Sequence, residues 1–151
     1  MTRALRRFLT LSFRDKLLLT WVLCLHLVVV VGIRLISFGS LCRLLKTVSR
    51  GGTLLTRYAA RESRERLIGG SLWAIRLINQ QPLFKASCLA QVLTAQCLLR
   101  HFDIPTEAHF GVKRDGHGCL RAHAWLQSGE RILLNSIDRV GWIPFNRGVG
   151  L

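Results

Sequence analysis

Ser87-Cys88-Leu89-Ala90-Gln91 decides how the rest of the chain is read, because it sets a cysteine at the start of a helix. Ser87 is a natural N-cap, since its hydroxyl can accept from an otherwise unpaired N–H of the first turn. Cys88, Val92, Ala95, Leu99 and Phe102 then recur at spacings of four and three along one face. Leu89, Leu93 and Leu98 fill much of the remainder, so the pattern predicts a helix apolar nearly all round, which belongs in the middle of a domain. A thiol in its first turn faces free backbone N–H groups and the positive end of the helix dipole, and both favour the nucleophilic thiolate.

Beyond this helix the periodicity changes from helical to alternating. Asp103-Ile104-Pro105 forces an extended turn, and Thr106 to Lys113 carries Ala108, Phe110 and Val112 on one face, which predicts a strand. Arg114-Asp115-Gly116-His117-Gly118 supplies a hairpin signal. The next strand, Cys119 to Gln127, places Leu120, Ala122, Ala124 and Leu126 on one face and Arg121, His123 and Trp125 on the other. Ser128-Gly129 turns the chain into a third strand, Arg131 to Asn135.

Before the helix the chain is basic and apolar. Arg3, Arg6, Arg7, Arg14 and Lys16 precede a run from Leu17 to Ile33 whose only polar interruptions are Thr20 and His26. That run is either a helix covering a small domain or a membrane-inserting segment at the lower limit of spanning length. Nothing at Gly32-Ile33-Arg34 resembles a signal-peptide cleavage site, so export is not expected. Leu41, Leu44, Leu45 and Val48 predict a second, amphipathic helix from Phe38 to Gly52, stopped by Gly51-Gly52. Arg57, Arg61, Arg64 and Arg66 mark either a solvated helix face or a docking surface for an acidic peptide. A third helix through Leu72, Ile75 and Leu77 ends at Gln80-Gln81-Pro82. The expected architecture is α+β: helices over residues 1–80, then a core over 81–151 with the cysteine helix and an antiparallel sheet, in one compact domain overall.

Composition limits the function classes. Lys and Arg outnumber Asp and Glu by 22 to 8, for a net charge of +14, which favours an acidic partner, an anionic membrane surface or nucleic acid. Nucleic acid is set aside, because no zinc finger, RNA-binding signature or aromatic-studded basic strand is present. The five cysteines form no C-x-x-C pair and lie mostly in apolar runs, as in a reducing compartment, so the expected location is the cytoplasm. Cys88, Cys119, His117 and His123 match none of the usual zinc spacings, and no metal or cofactor is expected.

Cys88, His123 and Asn135 supply a nucleophile, a general base and an orienting amide, in the chain order used by papain-like and transglutaminase-like enzymes. His123 and Asn135 share a face only if an odd number of residues turns the last hairpin, because side chains alternate with period two. A three-residue loop Gln127-Ser128-Gly129 would meet that condition. Asp138 is the nearby substitute for the third position. Gln91 and Gln81 are candidates for an oxyanion donor, and Trp125 for a shield over the histidine. His109 and His101 are expected to face solvent.

Ser87-Cys88-Leu89-x-Gln91, Leu98-Leu99-Arg100-x-x-Asp103-Ile104-Pro105, Gly111-Val112-Lys113-Arg114-Asp115 and Ala122-His123-Ala124-Trp125-Leu126 together resemble the transglutaminase-like leader peptidases of lasso-peptide biosynthesis. The resemblance covers about residues 82–135. It implies a bacterial cysteine protease that cuts the leader from a ribosomally made precursor peptide, leaving the core peptide to a separate ATP-dependent macrolactam cyclase. By motif, Cys88 is the nucleophile and His123 the base. The third member of the family triad is usually Asp, so Asn135 departs from the pattern, and its replacement by Asp is expected to be tolerated. The short form of such enzymes works beside a small separate leader-binding protein. Two other classes fit the residues: a transglutaminase-like acyl transferase, and a non-enzymatic, basic, membrane-associated adaptor in which residues 17–33 act and Cys88 is inert.

Overall fold

The computed structural model describes residues 12–49, 62–84, 86–135 and 142–144. Four α-helices lie among them: α1 (Phe13–Leu35), α2 (Phe38–Val48), α3 (Arg64–Asn79) and α4 (Cys88–His101). Each begins at a serine cap. Ser12, Ser37, Ser63 and Ser87 accept from the N–H groups of Asp15, Ser40, Arg66 and Ala90 respectively. Four helices starting on the same local chemistry explain why their first residues are sharply defined.

α4 is the central element. Val92 through Leu99 are buried, and α1, α3 and the sheet all pack on this helix. α1 runs longer than the apolar stretch alone predicted, because Ser12 caps it one turn earlier and Ile36 turns to extended backbone only after Leu35. α2 is shorter than expected and ends at Val48; Gly51 and Gly52 lie outside the described residues. Leu41 and Leu45 carry its buried face, whereas Leu44 is exposed. At the α1–α2 contact Leu41 rests on Gly32, and a Cβ there would come within 2.6 Å of the leucine Cδ1. α3 ends at Asn79, and Pro82–Phe84 form one 3₁₀ turn before α4.

The sheet is antiparallel with strand order β3-β2-β1-β4, built from β1 (Glu107–Arg114), β2 (Leu120–Ser128), β3 (Arg131–Leu134) and β4 (Ile143–Pro144). Asp115 organises the first hairpin: its carboxylate accepts from the N–H groups of His117 and Cys119 and from Arg121 Nε. The Arg121 guanidinium, helped by these N–H groups, lowers the Asp115 pKa. On β2 only Ala124 and Leu126 of the expected apolar face are buried. Leu120 is 67% exposed and Ala122 is exposed too, so this end of the hairpin contributes pairing but little core.

A single hydrophobic cluster runs from Leu18 to Leu134 and joins helices and sheet. Two of the buried polar residues are histidines. His26 is 1% exposed, with Nδ1 3.1 Å from Thr94 Oγ1, and Thr94 in turn donates to the Ala90 carbonyl. A hydroxyl whose proton is committed accepts from its other neighbour, so the neutral ring carries its proton on Nδ1. Burial lowers the pKa of His26. His101 does not face solvent as its position near the helix end suggested: it is 7% exposed, with its ring against Trp21 and Phe102. The reason is that α4 is covered along its whole length, last turn included.

Candidate active site

Cys88 is the first residue of α4 and is half-buried. Two contacts hold the chain entering the helix. Asn79 Oδ1 accepts from the Ala86 N–H at 2.7 Å, and Gln91 Nε2 donates to the Ala86 carbonyl at 3.0 Å. Gln91 therefore fixes the approach to Cys88, with its amide nitrogen engaged there. Gln81 is half-buried in the turn after α3, where its backbone carbonyl accepts from Phe84 N–H. Ser87 uses its hydroxyl for Ala90 N–H and its carbonyl for Gln91 N–H. The N–H groups of Cys88 and Leu89 have no acceptor within the helix, as the first turn requires.

His123 comes from the middle of β2, opposite Gly111. Its Nε2 is 3.2 Å from the backbone carbonyl of Asn135. A carbonyl only accepts, so the ring donates through Nε2 and keeps the basic lone pair on Nδ1. The Asn135 side chain does something else: Nδ2 donates to the Cys88 carbonyl at 3.4 Å and to the Ala124 carbonyl at 3.3 Å. One residue thus ties the cysteine helix to the histidine strand. The hydrogen bond to the imidazole comes from its main chain, where the sequence suggested its amide. Asn135 holds a left-handed backbone conformation, φ +54°, which asparagine tolerates better than most residues.

Asn135 reaches this position by an unexpected route. Ser128 pairs with Arg131, so only Gly129 and Glu130 turn the hairpin, an even loop with glycine at φ +58° in its first position. Gln127 pairs with Ile132, but Leu126 pairs with Leu134, which leaves Leu133 as one extra residue in β3. The bulge shifts the alternation by one and restores the parity that the two-residue loop removes. The expected three-residue loop is therefore corrected to a two-residue loop plus a bulge.

Two tryptophans differ in role. Trp125 is 8% exposed and stacks on His109, with ring centroids 5.6 Å apart and planes inclined by 14°. Trp142, immediately before β4, is the indole at His123, with centroids 5.4 Å apart. Sequence reasoning missed Trp142, because only the pairing of β4 with β1 returns that segment to the site. Gly111 makes this arrangement possible: a Cβ there would come 3.2 Å from Trp125 Cζ3 and 3.3 Å from the Ile143 carbonyl.

Residues 29–142, well over half of the chain, match the family described as the Transglutaminase-like superfamily. The chain belongs to that superfamily. Its members are typically cysteine peptidases or acyltransferases, and the α+β fold with a central cysteine helix agrees with that membership. Comparison with curated proteins and with solved structures returned no match.

Among the chain's other cysteines, Cys97 is buried and its thiol pKa is pushed up to about 12 by that burial, with Sγ 3.6 Å from the Leu45 carbonyl. Burial also raises Cys42, while Cys24 and Cys119 are exposed on α1 and in the first hairpin turn. Asp138 lies outside the described residues, as do Arg57 and Arg61. Arg66 pairs with Glu62 at 3.2 Å. Arg64 lines a cleft of about 570 Å³ with Arg100, Gln96, Thr106 and Glu107. Arg100 is twelve residues beyond Cys88, about 18 Å along α4, so this cleft is remote from the cysteine.

Proposed function

We propose that this transglutaminase-like domain is a cysteine peptidase that removes the leader from a lasso-peptide precursor. The observation that carries the chemistry is the Asn135 bridge, which hydrogen-bonds to the Cys88 backbone and to the His123 ring at once. In the proposed reaction His123 Nδ1 takes the thiol proton, and the Cys88 sulfur attacks the carbonyl carbon of the scissile bond. The negative oxygen of the tetrahedral intermediate is met by the Cys88 and Leu89 N–H groups. The C–N bond breaks as the imidazolium returns its proton to the departing amine, which becomes the new N-terminus of the core peptide. Water, deprotonated by the same ring, then hydrolyses the acyl-thioester and frees the leader.

The choice of substrate rests on the motif resemblance over about residues 82–135. The partners proposed on the same ground are the precursor peptide, a small separate leader-binding protein and the ATP-dependent macrolactam cyclase that receives the product. The cleft bordered by Arg64 and Arg100 supports docking of an acidic peptide or partner, since two arginines and one acid, Glu107, line it. The proposed location is the cytoplasm, with residues 17–33 giving attachment to a membrane.

Cys88→Ala and His123→Ala tell this reading from its rivals. Each should reduce cleavage to below a few per cent, and the double variant should be no worse, because the two groups act as one unit. Mass spectrometry of the precursor incubated with the chain and the leader-binding protein reads the outcome. A product with a free N-terminus supports the peptidase, a new amide to an added amine supports an acyl transferase, and unimpaired cleavage by Cys88→Ala overturns both.

A further inference from the structure

α1 is 23 residues long and apolar enough to cross a bilayer. Its two faces, however, are used differently. Leu18, Leu19, Val22, Leu25, His26, Val29 and Gly32 are buried, on the side from which α3 and α4 pack. Leu17, Thr20, Cys24, Leu27, Val28, Val31 and Leu35 are exposed. At about 100° per residue these seven fall within an arc of roughly 100°, so they form one continuous stripe. No charged residue interrupts it. Its only hydroxyl is turned inward, because Thr20 Oγ1 donates to the Lys16 carbonyl at 2.9 Å and asks nothing of the surroundings.

Cations border the stripe. On the same helical projection Lys16 and Arg34 lie on one flank, about 70° from its centre and one near each end. Arg43 and Lys46 are exposed on the helix that follows, and the whole chain carries +14. An apolar band with a hydroxyl satisfied inside the helix, edged by cations, matches a phospholipid surface in both of its layers, acyl chains below and phosphates beside them. A protein partner would find almost nothing in the stripe to read except shape.

We infer that α1 docks the chain on the surface of an anionic bilayer, lying in the plane of the membrane without spanning it. The inference deepens the membrane attachment proposed above and is independent of the chemistry at Cys88. Spanning would surround α1 with lipid on all sides. That would uncover α4 and separate His26 from Thr94. In-plane docking leaves the core whole and buries only the stripe that protein does not cover.

Flotation of the full chain with phosphatidylcholine vesicles, with and without phosphatidylglycerol, tests this. The chain should float with the anionic vesicles and largely fail to float with the neutral ones. Leu27→Glu combined with Val31→Glu should weaken anionic-vesicle binding on the order of tenfold or more, since both side chains sit in the stripe. Circular dichroism should be unchanged, because both positions are exposed. In vesicle-bound Arg14→Cys and Arg34→Cys proteins, an impermeant thiol reagent should modify both ends of α1 from outside, located by mass spectrometry. Modification of one end only would mean that α1 spans, which overturns in-plane docking while keeping attachment. Absence of flotation, or a stripe occupied by a second copy of the chain in sedimentation, would overturn attachment as well and leave the peptidase reading intact.

Discussion

Replacing Asn135 separates the work of its side chain from that of its backbone. Its amide makes two hydrogen bonds at 3.3 and 3.4 Å, both at the long end of the useful range. Each is worth about 0.5–1.5 kcal/mol net, so losing the pair should cost about 1–2 kcal/mol. Asn135→Gly measures that loss with only the entropy of a freer unfolded chain added, about 0.5–1 kcal/mol, because glycine accepts φ +54° without strain. Asn135→Ala should cost about 1 kcal/mol more, from a Cβ in the left-handed region. Asn135→Asp reverses the expectation raised by the family's usual aspartate: in the observed rotamer a carboxylate oxygen would replace the donor and face two carbonyl oxygens. It should be at least as destabilising as Ala. For a chain of this length 1 kcal/mol moves Tm by roughly 2–4 °C, so Gly, at about 1.5–3 kcal/mol in all, should melt about 3–12 °C low by circular dichroism, and Ala and Asp lower still. Cleavage should fall in each variant without vanishing, because the carbonyl that accepts from His123 belongs to the backbone and survives every substitution. An Asn135→Asp protein as stable and as active as the parent would refute this reasoning. It would mean that the side chain turns to the imidazole and acts as the third member of the triad.

Other expectations follow from the same contacts. His26 has a folded-state pKa below its ordinary value, so acid protonates the unfolded chain first. Its contribution is complete above about pH 6.5 and is lost as pH falls through the lower folded value, and Tm measured against pH should decline less steeply in His26→Gln than in the parent. A small thiol reagent at neutral pH should leave Cys97 unmodified and Cys42 slow, since burial raises both thiols. The exposed Cys24 and Cys119 should react at ordinary rates, and Cys88 should exceed them despite its lower exposure; a Cys88 rate no greater than theirs argues against activation. Gly32→Ala should lower stability by about 1–3 kcal/mol, because its methyl would enter the space of a fully buried Leu41, and an unchanged denaturation midpoint would contradict that packing. Arg64→Glu with Arg100→Glu should raise the concentration of leader-binding protein needed for half-maximal cleavage while leaving the Cys88 alkylation rate unchanged.

The central helix and the meander were legible because their signals are local. Ser87 with the apolar repeat after it defined α4, and Asp115-Gly116 marked the first hairpin. Serine capping extends further than Ser87, to Ser12, Ser37 and Ser63, and gives the start of every described helix. The missed features depend on pairing at a distance. Trp142 joins His123 only through β4 on the far edge of β1, and no periodicity in its short segment announces a strand. The left-handed turn at Asn135 arises where β3 ends against α4, so the residue type was legible and its division of labour was not. His101 was misread because a position near a helix end says little once neighbouring elements cover that end.

The bulge at Leu133 makes the length of this hairpin negotiable and its register strict. Straightening the strand with Leu133 kept in the ladder would set residue 135 opposite Ala124 and turn its side chain away from the site. Deleting Leu133 would not: Ile132 and Leu134 would pair in succession with Gln127 and Leu126, and the asparagine would keep its side. A residue added between Gly129 and Glu130 would likewise enlarge only the turn. Homologous chains should therefore differ by a residue between histidine and asparagine without losing the site. What such a lineage holds constant is the rung on which the asparagine sits, and the number of residues spent in reaching it is free to drift.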